Sequence, residues 1–203
     1  MSEGPVAEAA DAAIAGELIV LPTDTVYGIA TRPDEPEATA RLFRAKGRSE
    51  QLALPVLVPS LASGAEIVDL VGPAERLARA VWPGAVTLVL PRRARSATWQ
   101  LGGDGTTIGV RVPHHPLALA VLARTGPLAA TSANRSGAPT PTGCEAVREI
   151  FGEQVAVYLC EDQEIRAVAS TVVDLAHGEP RILRRGDLGP ADLRRLRVGQ
   201  PER

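Results

Sequence analysis

The chain has 203 residues, 45% of them apolar but only 3% aromatic, so a sizeable core is within reach and must be aliphatic. A formal charge of −2 excludes global attraction to nucleic acid or an anionic membrane, and confines any cationic site to a local cluster. Two cysteines without CxxC spacing and three histidines exclude a convincing zinc site.

Short β-branched runs alternate with helical patterns along the chain. An Ala-rich helix is predicted over Val6 to Ala15, closed by Gly16. A buried strand follows at Leu18 to Leu21, then a helix over Pro36 to Lys46 with an apolar stripe through Ala38, Leu42 and Ala45. Leu54 to Val58 reads as a strand, and Ala74 to Trp82 as a helix stopped by Pro83-Gly84. Strands at Val86 to Leu90 and Ile108 to Val112 precede a helix at Leu117 to Arg124, closed by Gly126. A short strand at Leu128 to Thr131 runs into a polar loop, Ser132 to Gly143, and a helix at Cys144 to Phe151. The last predicted strands are Val155 to Leu159, Thr171 to Leu175 and Arg181 to Leu183, before a basic helix at Pro190 to Leu196 and a frayed tail, 199–203. This alternation predicts an α/β fold, a twisted mixed β-sheet with packed helices, as one domain over 1–203.

Met1-Ser2-Glu3-Gly4 has no basic segment leading into an apolar run, so no signal peptide is expected. No apolar run approaches the roughly 18 residues that span a bilayer. A cytoplasmic protein without membrane contact is expected, with Cys144 and Cys160 as buried or incidental thiols.

Lys46 is the only lysine; the other 21 of the 22 basic residues are arginines. A compact ammonium and a planar guanidinium are not interchangeable where geometry is tight. In Lys46-Gly47-Arg48 a glycine between two cations lets both converge on one anion, or the cations simply complement a helix C-terminus. If Pro22 to Gly28 stays extended, Thr23, Thr25 and Tyr27 share one face. Arg111 lies among apolar strand residues and needs a partner, either a ligand anion or an internal Asp or Glu. Thr131, Ser132 and Asn134 crowd a loop leaving a strand, where α/β proteins bind ligands. Ser170 precedes one strand, and Arg184 and Arg185 follow another. No Walker A loop, dinucleotide loop, nucleophile elbow or catalytic thiol setting is present. The inventory of cations, hydroxyls and one amide suits binding a polyanion beside a small polar partner.

Six segments in order, Pro22-Thr23-Asp24-Thr25-Val26-Tyr27-Gly28, Lys46-x-Arg48, Trp82-Pro83-Gly84, Gly109-Val110-Arg111-Val112-Pro113, Ser132-Ala133-Asn134-x-Ser136-Gly137 and Ser170-Thr171-Val172-Val173-Asp174, resemble the YrdC/YciO family. The motif-bearing core runs over about 16–186. The resemblance implies a YrdC-like fold with a concave cationic cavity. It also implies the nucleotidyltransferase chemistry of threonylcarbamoyl-AMP synthases: L-threonine, bicarbonate and ATP give threonylcarbamoyl-AMP and pyrophosphate. That product feeds threonylcarbamoyl-transferase machinery modifying adenosine 37 of tRNA. By the same resemblance Lys46, Arg48, Leu52, Thr107, Ser132, Asn134, Thr142 and Arg184 are expected at ATP, and Thr23, Thr25, Tyr27, Leu57, Arg111, Thr131 and Ser170 at threonine. Lys46, Arg48, Ser132 and Asn134 form the implied catalytic set. Mg²⁺ is expected on phosphate oxygens rather than in a protein cage. Leu52 and Leu57 depart from the polar residue and histidine that relatives usually carry, which trades ligand contacts for apolar surface. These departures favour one alternative, a YciO-type paralogue with another nucleotide-dependent reaction; a second, implied by the same concave cationic surface, is a tRNA- or double-stranded-RNA-binding protein.

Overall fold

The computed structural model describes residues 3–186. The predicted helix at Pro190 to Leu196 and the tail lie outside these residues. Among the described residues the helices are α1 (Glu3–Ile14), α2 (Pro36–Lys46), α3 (Leu61–Ile67), α4 (Pro73–Val81), α5 (Pro116–Thr125) and α6 (Cys144–Phe151). The strands are β1 (Ile19–Leu21), β2 (Gly28–Thr31), β3 (Val56–Leu57), β4 (Val86–Pro91), β5 (Thr107–Arg111), β6 (Leu128–Ser132), β7 (Val157–Tyr158), β8 (Thr171–Asp174) and β9 (Arg181–Arg184). They form one mixed sheet in the order β7-β1-β2-β6-β3-β5-β4-β8-β9. The pairs β1/β7, β3/β5 and β4/β8 are parallel and the others antiparallel. None of these helices is long and apolar enough to cross a membrane.

The two faces of the sheet are covered unequally, and that difference creates the site. Alternation sends Val20, Ile29, Val56, Leu88, Val110 and Val173 to one face, where they pack with Leu42 and Phe43 of α2, Ile67 of α3, Leu77 and Val81 of α4 and Phe151 of α6. On the other face Ile19, Leu21, Ala30, Leu57, Leu128 and Ala130 meet only α1 and α5, through Ala9, Ala13, Val121 and Leu122. These two helices cover the β1, β2 and β6 half. The β5, β4 and β8 half of that face lies open as a floor.

Two elements escape sequence patterning. β2 is four residues with a glycine and an alanine, weak strand formers, yet β1 and β6 bond it on both sides. α3 contains Ser63 and Gly64, and tertiary packing overrides their low propensity. Its Ser60 cap accepts the Ser63 N–H at 3.2 Å, and Gly64 sits against Trp82, Val110 and Val58. A Cβ on Gly64 would meet these three side chains at 3.6 to 3.7 Å, ordinary contact distances. Gly64→Ala should therefore stabilise the fold by about 0.5–1 kcal/mol, read as a rise in thermal midpoint.

Cys144 and Cys160 are joined as a disulfide with their Cα atoms 5.7 Å apart, which corrects the expectation of separate thiols. The sixteen-residue separation carries no signal of this pairing. The turn from α6 back through β7 brings the two positions together.

Candidate functional site

The open half of the sheet floors a cavity of about 530 Å³. Thr87 and Val89 of β4, Thr107, Gly109 and Arg111 of β5, Val172 and Asp174 of β8 and Arg184 of β9 contribute from the sheet. Loops at Thr23 to Val26, Arg48 to Ala53 and Ala169 to Ser170 form walls. Gly109 keeps the floor low: a Cβ there would press on Thr87 Cγ2 at 3.1 Å.

Arg111 is 5% exposed and tightly held. Its Nε donates to Gly84 O at 2.8 Å, Nη1 to Thr25 Oγ1 at 2.8 Å and Nη2 to Asp24 Oδ1 at 2.6 Å. Asp24 Oδ1 also accepts the His114 N–H at 2.9 Å. Of the two partners the sequence left open for Arg111, the internal carboxylate is present. Three of its five N–H groups are taken in this way.

The Pro22 to Gly28 segment does not stay extended. Thr23 Oγ1 accepts from Thr25 N at 3.2 Å and Val26 N at 3.1 Å, and donates to Val26 O at 2.7 Å, folding the segment into a turn. Thr23 and Thr25 reach the cavity, their hydroxyls 2.9 Å apart. Tyr27 points the other way: its ring is buried in the core and its hydroxyl accepts the Glu161 N–H at 3.1 Å. The shared face of three hydroxyls is thus corrected to two, because a turn resets the period-2 alternation.

Lys46 is 2% exposed, and its ammonium is not among the groups lining the cavity. Nζ donates to Ser132 O at 2.5 Å, to Asn134 Oδ1 at 3.1 Å and to Asn134 O. Ser132 Oγ donates to the same Asn134 Oδ1 at 2.6 Å. The loop answers by capping the end of α2, with Ser136 N on Lys46 O at 2.9 Å and Arg135 Nη1 on Ala45 O at 2.6 Å. Lys46 and Asn134 are therefore struts behind the wall, and Ser132 is the member of this group that reaches the cavity. Thr142 also lies outside the lining, its carbonyl taken by Ile165 N at 2.9 Å.

Arg48 does line the cavity, with Nε on Leu52 O at 3.0 Å and Nη2 on Ala53 O at 2.9 Å. Arg184 holds Ser170 through the backbone oxygen at 2.9 Å and Oγ at 3.1 Å, and Ser170 Oγ lies 2.9 Å from Thr87 Oγ1. Thr107, Thr131, Leu52 and Leu57 all face the cavity. Leu52 is half exposed, whereas Leu57 is buried among the α1 and α5 contacts.

The cations press on one another. Burial and the charge of Arg48 push the Lys46 ammonium down to about 8. Burial, then Arg184, lowers Arg48. Burial lowers Arg184, and it lowers Arg111 against the pull of Asp24, with Arg184 adding to the effect. Such a cluster is relieved by bound negative charge.

Asp174 and His177 also line the cavity and had no role in the sequence reading. The available signal was slight: Asp174 closes a quoted motif, and His177 follows it by three residues in a turn between strands. A second cavity of about 520 Å³ beside Ala13, Arg32, Asp34 and Trp99 holds none of the candidate residues, and its Arg32 is bound to Asp34 and Ile14 O.

The Sua5/yciO/yrdC family model, described as "Telomere recombination", matches residues 11–186. A putative threonylcarbamoyl-AMP synthase of Mycobacterium tuberculosis is 42% identical over 182 residues, 89% of this chain and 83% of that protein. The crystal structure of P. abyssi Sua5 complexed with L-threonine superposes with a TM-score of 0.86 at 32% identity, covering 97% of this chain and 58% of that one. E. coli YciO superposes with a TM-score of 0.85 over 93% of this chain and 92% of its own, and at 24% identity it shows the shared fold.

Proposed function

Because the chain belongs to the Sua5/YciO/YrdC family, we propose that it is a threonylcarbamoyl-AMP synthase, a nucleotidyltransferase that joins L-threonine, bicarbonate and ATP. The observation that carries the reading is the set of mutually repelling arginines, Arg48, Arg111 and Arg184, around a hydroxyl-rich cavity. The threonine amine and bicarbonate form a carbamate with loss of water. A carbamate oxygen attacks the α-phosphate, and pyrophosphate leaves. The protein's work is to position reactants and neutralise phosphate charge, and no covalent nucleophile is required.

In this reading Arg48 and Arg184 take the phosphates with Ser132 beside them, while the remaining N–H groups of Arg111 take the threonine carboxylate. Thr25, Thr131 and Ser170 surround the amino acid, and Thr107 lies toward the nucleotide. Asp174 is the one carboxylate among the lining residues and is engaged by His177 and Ala176, so the donor set fits Mg²⁺ carried on phosphate oxygens. When bound, that ion supplies further neutralisation of the triphosphate.

Pyrophosphate release should require ATP, threonine and bicarbonate together, with threonylcarbamoyl-AMP detected by mass. Release that ignores threonine, in protein that binds ATP, would sink the reading. Leu52 and Leu57 in the cavity favour one competitor, a paralogue acting on another amine with the same fold. Equal or faster turnover with other amino acids would establish that alternative. A cytoplasmic location, with the product passed to the machinery that modifies tRNA, completes the proposal.

A further inference from the structure

The cavity has two chemically different ends. Arg111, Thr25, Thr87 and Ser170 define one. Toward the other, Val89 pairs with both Gly109 and Asp174 midway along β5, Pro91 pairs with Thr107 beyond them, and β8, parallel to β4, leads the chain past Asp174 in that direction. Arg111 and Thr107 are four residues apart on β5, roughly 13 Å of strand, more than an amino acid alone spans. His177 lines the cavity beside Asp174 at this far end, its side chain about half exposed.

Asp174 is buried, and its oxygens lie 3.1 Å from His177 Nδ1. Oδ1 also accepts the Ala176 N–H at 2.9 Å, and Arg181 Nη2 lies 3.5 Å from Oδ2. Burial raises the Asp174 carboxyl, but these donors reverse the effect and leave it below the ordinary value. An ionised carboxylate only accepts, so the ring nitrogen facing it, Nδ1, carries a proton, and the uncharged form of such a ring presents its lone pair at Nε2. That orientation is fixed by the partner rather than by chance.

We propose that His177, oriented by Asp174, reads the nucleoside of the bound nucleotide: Nε2 accepts a hydrogen bond from the adenine amine or a ribose hydroxyl. This rests on the ATP reading above. The reaction requires the α-phosphate to sit beside the carbamate, so with the amino acid at the Arg111 end the nucleoside extends away from it. The other end offers Thr107, Val89 and the His177–Asp174 pair. Both donor groups of the nucleoside share the chemistry that a neutral imidazole nitrogen accepts.

The test measures binding and KM for ATP, 2′-deoxy-ATP, 3′-deoxy-ATP and ITP with the wild-type protein, His177→Ala and His177→Gln. His177→Ala should weaken ATP about five- to tenfold, the loss of one hydrogen bond, while the threonine KM holds. The wild type should discriminate by a similar factor against ITP, if the amine is read, or against a deoxy analogue, if a hydroxyl is. That discrimination should vanish in His177→Ala and return partly in His177→Gln, whose amide oxygen can accept. Unchanged ATP affinity in His177→Ala, or equal weakening of every analogue, overturns the inference. ATP binding without threonine-dependent pyrophosphate release defeats the synthase reading alone, because the affinity ratios still decide His177. A wild type that binds no ATP overturns both.

Discussion

Lys46→Ala should lower turnover about a hundredfold although Lys46 does not line the cavity. Removing the ammonium leaves Ser132 O, Asn134 O and Asn134 Oδ1 without their shared donor. An unsatisfied buried acceptor costs about 1–3 kcal/mol, and a displacement of about 1 Å at a reacting centre costs about 10²-fold in rate. The loss should fall on kcat more than on the KM for ATP, because Arg48 and Arg184 remain; a pure rise in KM would mean that Lys46 holds phosphate directly. The pH profile gives a second readout. With its pKa at about 8, pushed down by burial and by Arg48, the ammonium loses its proton above that pH and the loop loses one of its donors. Activity should therefore decline above about pH 8. Stability moves the other way. Between about 8 and the ordinary 10.5 the unfolded chain holds a proton that the native chain lacks, so this residue's contribution to stability rises with pH. Activity that falls while the thermal midpoint does not would separate loop loosening from unfolding.

Arg111→Met should destabilise the protein by about 3–5 kcal/mol, because it strands Asp24, a carboxylate with 17% of its side chain exposed, beside an apolar group. Most of that loss belongs to the orphaned charge. Arg111→Met combined with Asp24→Asn should recover a large part of the stability and none of the activity. A double-mutant cycle read by thermal or denaturant unfolding checks this, and strict additivity would show that the pair is not coupled. Arg111→Lys should keep the charge yet fail to restore turnover, since an ammonium cannot reach Gly84 O, Thr25 and Asp24 in the plane of one fork.

The layered α/β architecture was legible because long elements announce themselves: α2 begins at Pro36 and ends before Gly47, which takes a left-handed conformation with φ of 59°. β2 was hidden because its strand character comes from neighbours on both sides rather than from its own side chains. At the site, the residue types pointed to anions and hydroxyls. Which groups face the ligand and which stand behind them depends on side-chain direction, set by contacts distant in sequence. The 86 to 88 residues between Lys46 and its partners in the Ser132 loop carry no trace of that strut. Asp24 lay in plain view within a motif, but only the folded loop brings it to Arg111, 87 residues on.

The unequal covering of the sheet separates two kinds of constraint at single-residue spacing. Along β5, Ile108 and Val110 pack into the core with α2, α3, α4 and α6, while Thr107, Gly109 and Arg111 address the cavity, which Ile108 also touches. Neighbouring positions thus answer to different demands, endurance on one side and discrimination on the other. A family built on this plan can revise what it recognises by changing every second residue of a strand, while the alternate set keeps the molecule folded. The same arrangement makes register the point of vulnerability: a slip of one residue in β5 would bury Arg111 in the core and turn Val110 toward the ligand.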